Sequence, residues 1–353
     1  MYYVNKNLVN LNRIFDQNSR DGYLRLDLNE NPTGLPNDFI ANVCKSITPE
    51  LVAKYPEQLE FTKILSDYIG VNIDQICLTN GSAEAIRYVI EAYTKENGKI
   101  VSVSPSYAMY DVYSKMYGRQ HICLTYEEDL SFNVEKILNA INKDIDLLIL
   151  LNPNNPVGDV YSEDFIKAII QKAKECEVIV LIDEAYFYFY EKSFIEYAVN
   201  NPYVLVTRTF SKLFSLAGCR LGYVVGQKEC ISIVQKLCTP HNINFFGMLM
   251  AKNIIQHPSL VNSLIDDFRE GKNYLLEKLD QYNYEYNAKE GNFLFIKPKT
   301  DALQVVQKLK EKKKILIKSY NKVGKLGDCL RVSIGNKSVM STFIESLLEI
   351  DKE

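Results

Sequence analysis

The stretch Thr209-Phe210-Ser211-Lys212-Leu213-Phe214-Ser215-Leu216-Ala217-Gly218-Cys219-Arg220 decides the reading of this chain. Its lysine follows a short apolar run, Val204 to Thr207, in a segment bounded by Ser and Gly and not on a polar helix face. Free lysine has a pKa near 10.4 and is a poor nucleophile at neutral pH. Burial and neighbouring positive charge lower that value and suit the amine to Schiff-base chemistry. Most lysines in a chain are ordinary exposed ones, and Lys212 is set apart by its company. Thr209 and Ser211 offer hydroxyls and Arg220 a planar fork, and together they can bind a phosphate.

Further upstream, two more apolar runs end in polar groups. Val178-Ile179-Val180-Leu181-Ile182 closes on Asp183-Glu184-Ala185-Tyr186, and Leu147 to Leu151 closes on Asn152-Pro153-Asn154-Asn155-Pro156-Val157-Gly158. Ligands of parallel sheets bind beyond the carboxyl ends of strands. Alone, Asp183 reads as a helix N-cap and Asn155 as turn chemistry. Beside Lys212 they form a set. An amine for a Schiff base, a carboxylate for a ring nitrogen and an amide for a phenolic oxygen are what a pyridoxal phosphate site needs. A further strand, Ile76-Cys77-Leu78-Thr79, leads through Asn80-Gly81 into a helix from Ser82 to Tyr93. Backbone N–H groups and the helix dipole at such a turn attract an anion.

These segments, in this order, resemble the aspartate aminotransferase fold type of pyridoxal enzymes (fold type I, class I/II aminotransferases), and within it the histidinol-phosphate aminotransferase family. The likeness runs from Asn29-Glu30-Asn31-Pro32 to Gly335. It implies that Lys212 carries the cofactor and shuttles a proton as base and acid. It further implies that Asp183 holds the pyridine nitrogen and that Tyr186 and Asn155 bond the ring oxygen. Tyr107, in Pro105-Ser106-Tyr107-Ala108-Met109-Tyr110, would stack on the ring. Gly81, Ser82, Ala83, Thr209, Ser211 and Arg220 would hold the phosphate. Tyr55 would reach the phosphate of a partner's cofactor, in a homodimer with shared active sites.

On the substrate side, Arg331 is a lone arginine in the apolar strand Leu330-Arg331-Val332-Ser333-Ile334, where a buried charge needs a partner. The family match makes it a clamp on a substrate carboxylate or phosphate, with Asn31, Lys318 and His241 beside it. The chain also departs from the family's habits. It has Ala83 where Asp is frequent, Thr33 where an aromatic follows Asn-Pro, Lys318 near the place of an Arg, and Pro240-His241-Asn242 where Tyr-Asn is common. The implied activity is a pyridoxal phosphate-dependent aminotransferase acting on a small phosphorylated amine, amino alcohol or keto compound, with a second amino or keto acid closing the cycle. The alternative is a decarboxylase of an O-phosphorylated amino acid such as threonine phosphate. The intact Lys212, Asp183 and Asn155 argue against a non-catalytic relic, and no GxGxxG turn supports a nicotinamide enzyme.

The bulk properties agree. The chain has 353 residues, 47% of them apolar and 24% charged, with a net charge of −3. That is a soluble chain of two domains, without a basic surplus for nucleic acid. Eight cysteines form no CxxC pair and are not clustered with the three histidines, so reduced thiols are expected and no metal. Asn5, Lys6 and Asn7 interrupt the N-terminal region and no apolar run approaches a membrane span, so a cytoplasmic protein without a signal peptide is expected. Short Val/Ile/Leu runs alternating with amphipathic segments predict an α/β fold with a mainly parallel central sheet. A smaller α+β domain should follow, its Lys308 to Lys314 stretch forming a solvated helix face. The expected units are an N-terminal arm over 1–35, a large cofactor-binding domain over 36–250 and a small domain over 251–353.

Overall fold

The structure, a computed structural model, describes residues 2–9, 11 and 19–352, so part of the expected arm lies outside the described residues. Seven strands make the large sheet: β1 (Ile76–Thr79), β2 (Lys99–Ser104), β3 (Gln120–Thr125), β4 (Ile145–Leu151), β5 (Ile179–Asp183), β6 (Val204–Thr209) and β7 (Gly222–Val225). Their spatial order is β1-β7-β6-β5-β4-β2-β3. Strands β2 to β6 run parallel, while β7 is antiparallel to both β1 and β6. Because β1 and β6 both oppose β7, they point the same way. The carboxyl ends of β1, β2, β4, β5 and β6 therefore share one edge of the sheet, where a ligand would bind.

Register fixes which residues meet at that edge. Leu151 lies opposite Asp183, Asp183 opposite Thr207, and Gly222 opposite both Thr209 and Thr79. β1, β6 and β7 are buried throughout, as doubly covered strands of Val, Ile and Leu must be. β3 was not legible in the sequence. It is the edge strand, mostly exposed, and Gln120-His121-Ile122-Cys123-Leu124-Thr125 lacks the continuous apolar run of its neighbours.

Helix α1 (Ser82–Tyr93) begins directly after β1, and α2 (Met109–Met116) follows β2. α3 (Phe245–Ile255) packs Met248, Ala251, Ile254 and Ile255 into the core of the large sheet. The expected division at 250/251 falls inside this helix. The next helix, α4 (Pro258–Gln281), starts with a proline in its first turn, where no intrahelical N–H is lost. Val261 and Leu264 of α4 belong to the large-sheet core, whereas Phe268, Leu275 and Leu279 belong to a second core. The change from one core to the other thus lies between Leu264 and Phe268.

That second core is built on a four-stranded antiparallel sheet of β8 (Tyr286–Asn287), β9 (Phe293–Ile296), β10 (Lys318–Val323) and β11 (Gly327–Ser333), in the order β10-β11-β9-β8. Helix α5 (Ala302–Lys313) covers it with Val305 and Leu309 and keeps its lysine-rich face out of the core. The arm enters the same core. Leu24–Arg25 pairs in parallel with Ile315–Leu316, and Leu26 is wholly buried against β9, β11 and α4. Anchoring Leu26 there carries the following residues, Asp27 to Asn29, to the edge of the large sheet. Among the described residues, no helix is long and apolar enough to cross a membrane.

Candidate active site

A cavity of about 320 Å³ opens at that shared edge. Lys212, in the loop after β6, donates from Nζ to the Leu28 carbonyl at 3.0 Å and lies 5.7 Å from the centre of the Tyr186 ring. Burial, and next the Arg331 guanidinium, push its amine down to about 8; Arg220 adds to this, while Glu30 and Asp183 oppose it. Asp183 ends β5 and is 1% exposed. Its Oδ1 accepts from the Ala185 N–H at 3.1 Å and its Oδ2 from the Tyr110 hydroxyl at 2.8 Å. Burial raises its carboxyl to about 6 even though these bonds favour the anion. Tyr186 is buried, accepts at its hydroxyl from Asn29 Nδ2 at 2.9 Å, and has its titration raised above the ordinary phenol value by burial.

At the rim, Arg220 adopts left-handed backbone with φ 52°. Its Nη1 donates to the Ala217 carbonyl at 3.2 Å and its Nη2 to the Asn80 carbonyl at 3.5 Å. Two glycines make room for this. A Cβ at Gly81, whose φ is +75°, would meet Arg220 Nη2 at 2.7 Å, and one at Gly222 would meet the Ser82 nitrogen at 2.6 Å. The Thr209 hydroxyl bonds the Ser211 hydroxyl at 3.0 Å beside them. The guanidinium, two hydroxyls and the first turn of α1 thus face one space.

Asn155 and Arg331 meet across the cavity: Arg331 Nη1 donates to Asn155 Oδ1 at 3.1 Å and to the Tyr320 hydroxyl at 3.3 Å, while Nη2 donates to the Asp27 carbonyl. These partners are neutral oxygens, and among the described residues Nε is buried with no partner, so a buried cation stands there without a counter-charge in direct contact. Lys318 on β10 stands in register with Arg331 on β11 and also lines the cavity.

Of the residues singled out in the sequence, Ser82, Ala83, Tyr107, Asn155, Asp183, Tyr186, Thr209, Ser211, Lys212, Arg220, Lys318 and Arg331 all line this cavity, and Gly81 abuts it. Three do not. Asn31 donates to the Leu213 carbonyl at 3.3 Å and accepts from the Thr33 N–H, shaping a turn outside the cavity. Tyr55, 79% exposed, and His241 stack on each other at 4.9 Å away from it. The sequence reading missed Leu28, Asn29, Tyr110 and Tyr320. Asn29 stood two residues from the chosen Asn31. Tyr110 and Tyr320 carried no signal among 24 tyrosines.

The parallel sheet, the lysine beyond β6 and the carboxylate at the end of β5 define a pyridoxal phosphate enzyme of fold type I. The model of the family described as aminotransferase class I and II matches residues 22–347, and the chain belongs to that family. It is 32% identical over 337 residues to histidinol-phosphate aminotransferase of Thermoanaerobacter sp. (strain X514), covering 92% of each chain. Among solved structures it resembles histidinol-phosphate aminotransferase from Sinorhizobium meliloti in complex with pyridoxal-5'-phosphate, with TM-score 0.83 and 20% identity over 93% of this chain and 90% of that one. It also resembles L-threonine-O-3-phosphate decarboxylase from Porphyromonas gingivalis, with TM-score 0.78 and 18% identity over 94% and 100%. The chain is a pyridoxal phosphate-dependent aminotransferase. The cavity suits that cofactor, because the glycine-lined cradle under Arg220 leaves room for a phosphate and a buried carboxylate stands ready for a ring nitrogen.

Proposed function

We propose that this aminotransferase acts on a small phosphorylated amine or amino alcohol of the histidinol phosphate type, with a keto acid such as 2-oxoglutarate as amino acceptor. The supporting observation is a surplus of cationic groups. Arg220 with the first turn of α1 would serve the cofactor phosphate, and Arg331, held by neutral oxygens on a different sheet, would serve an anion of the substrate, with Lys318 lining the same cavity. The likeness to the threonine phosphate decarboxylase, at 18% identity, extends to the fold alone. The relative at 32% identity supports transamination.

When bound, pyridoxal phosphate supplies an electron sink for the bond that breaks beside the substrate nitrogen. The chain does the rest. Asp183, buried and accepting two hydrogen bonds, would place its carboxylate against the ring nitrogen and help keep it protonated. Tyr186 and Asn155 direct a hydroxyl and an amide into the cavity beside Lys212 and would orient the ring oxygen. Thr209, Ser211, Arg220 and the Gly81–Ser82 turn would grip the phosphate, and Tyr107 would cover the ring. Lys212 would hold the cofactor through Nζ and, once displaced by the substrate amine, its free amine would take the proton from the substrate carbon and deliver it to the cofactor carbon.

Gly81 gives the first test of the phosphate cradle. Its backbone, φ 75° and ψ 166°, lies in a region open essentially to glycine. Gly81→Ala is expected to displace the Arg220 guanidinium and weaken cofactor binding about tenfold or more, at a strain of about 1–3 kcal/mol. Fluorescence titration of the apoprotein with pyridoxal phosphate, together with a melting curve, measures both.

Incubation with histidinol phosphate and 2-oxoglutarate tests the substrate. Glutamate formation is expected. Its absence, with carbon dioxide released from threonine phosphate, would establish the decarboxylase. Arg331→Lys keeps the charge but loses the fork, so KM for the phosphorylated substrate should rise about tenfold or more with a smaller change in kcat.

We also infer a homodimer with shared sites in the cytoplasm. Leu51, Val52, Tyr55 and Leu59 expose apolar surface on one short stretch, and eight unpaired thiols suit a reducing compartment. Light scattering at micromolar concentration should give twice the 40.6 kDa chain mass.

A further inference from the structure

Tyr110 has no part in the chemistry above, yet it touches two of its members. It lies on α2, is 1% exposed, and donates its hydroxyl to Asp183 Oδ2 at 2.8 Å. Its ring meets Tyr107 edge to face, with centroids 5.7 Å apart and planes at 86°. The surroundings of Asp183 single out this bond. From β6, Thr207 stands opposite in register and its hydroxyl also favours the anion, more weakly than Tyr110 and without a direct hydrogen bond among the described residues. Lys212 approaches from the loop after β6, Tyr107 from the lead into α2, and Glu184 and Tyr186 from the same segment as Asp183. Glu184 disfavours the anion and is itself bonded to Arg208 Nε at 2.8 Å. Tyr110 thus donates directly to the carboxylate and leads the side chains that favour its charge, in surroundings where burial works against it.

We propose that Tyr110 is a positioning residue for the cofactor: its hydroxyl fixes the Asp183 carboxylate as an anion in place for the ring nitrogen, and its ring braces Tyr107. This rests on the proposed placement of pyridoxal phosphate in the cavity. A hydrogen bond to a buried carboxylate favours the ionised form. Without it, Asp183 would hold its proton to higher pH and meet the ring nitrogen uncharged. The ring contact is separable from the hydroxyl, because phenylalanine keeps the one and removes the other.

The test is the affinity of apoprotein for pyridoxal phosphate, measured by equilibrium titration from pH 6 to pH 9 in wild type and Tyr110→Phe. The variant should bind about tenfold or more weakly near pH 6.5, where its Asp183 is protonated and that of the wild type is partly charged. The difference should vanish near pH 9, where both carboxylates are ionised. The ionisation of Lys212 and of the cofactor itself enters both proteins alike and cancels in the ratio. An equal loss at every pH would reduce Tyr110 to a packing residue, and no loss at any pH would overturn the proposal outright. Should Tyr110→Phe not fold, 3-fluorotyrosine at position 110 replaces it. The more acidic phenol donates more strongly, so the acid limb of binding should move to lower pH, and an unmoved limb would reject the proposal. Failure of the wild type to bind the cofactor at all would instead reject the functional reading beneath it.

Discussion

Lys212→Ala is expected to lower kcat/KM for transamination at least about ten-thousand-fold, because it removes both the covalent anchor and the proton shuttle. The expectation follows from how the site treats the amine. An ordinary lysine, near 10.5, is neutral in roughly one molecule in three thousand at pH 7. At about 8, Lys212 is neutral in about a tenth. Burial and the Arg331 charge lower the pKa without a catalytic base to take the proton. The fold should survive the substitution, since among the described residues the Nζ makes one hydrogen bond, to the Leu28 carbonyl. A small primary amine added to Lys212→Ala should restore part of the rate by supplying the missing base. Steady-state kinetics with and without methylamine, beside a circular dichroism spectrum, separates lost chemistry from lost structure. An activity within tenfold of wild type would place the proton transfer on another residue.

Asp183→Asn has two opposite expected effects. Transamination should fall by about a hundred to a thousandfold, the loss typical of removing one preorganised charge from a reacting centre. The apoprotein should become more stable. The native carboxyl sits at about 6, above its ordinary 3.8, so the folded state binds the proton more tightly than the unfolded chain does. Stability therefore falls as pH rises from about 4 through 6, and the full cost of the buried charge is present above 6. At 1.36 kcal/mol per unit, that cost is roughly 3 kcal/mol. Asparagine carries no charge to bury. Its melting temperature should exceed that of the wild-type apoprotein at pH 7 to 8, and the gap should close toward pH 4. Equal melting temperatures at pH 7.5 would mean that the carboxylate is stabilised by contacts beyond Tyr110 and Ala185. A catalytic group that weakens the empty fold is the usual cost of function.

Much of this was legible in the sequence because it rests on local signals. A Val/Ile/Leu run that ends in Asp183, or a strand that passes through Asn80-Gly81 into Ser82, states its structure within a few residues. Ile76 to Thr79 and Ser82 to Tyr93 begin and end where the pattern places them. The edge strand β3 was hidden because most of its side chains face water, and β10 because Lys318-Ser319-Tyr320-Asn321-Lys322-Val323 reads as polar loop. Contacts distant in sequence were hidden for another reason. Leu28 and Lys212 are 184 residues apart, and it takes the pairing of Leu24–Arg25 with Ile315–Leu316 and the burial of Leu26 in the second core to bring the arm to the lysine. No periodicity reports such a contact. The same holds for Tyr110 and Asp183, 73 residues apart, which meet because α2 follows β2 and β5 lies two strands away in the sheet. Tyr55 and His241 were read as site residues, and within one chain they lie outside the cavity, where a partner subunit would be needed to employ them.

Borohydride reduction of the cofactor-loaded protein, followed by peptide mapping, bears most directly on the chemistry. Reduction should fix one pyridoxyl phosphate group per chain on the peptide containing Lys212, and prior loading of Lys212→Ala should leave that peptide unlabelled. Stoichiometric labelling of any other lysine, or none at all, would contradict the assignment of Lys212 as the residue that holds the cofactor.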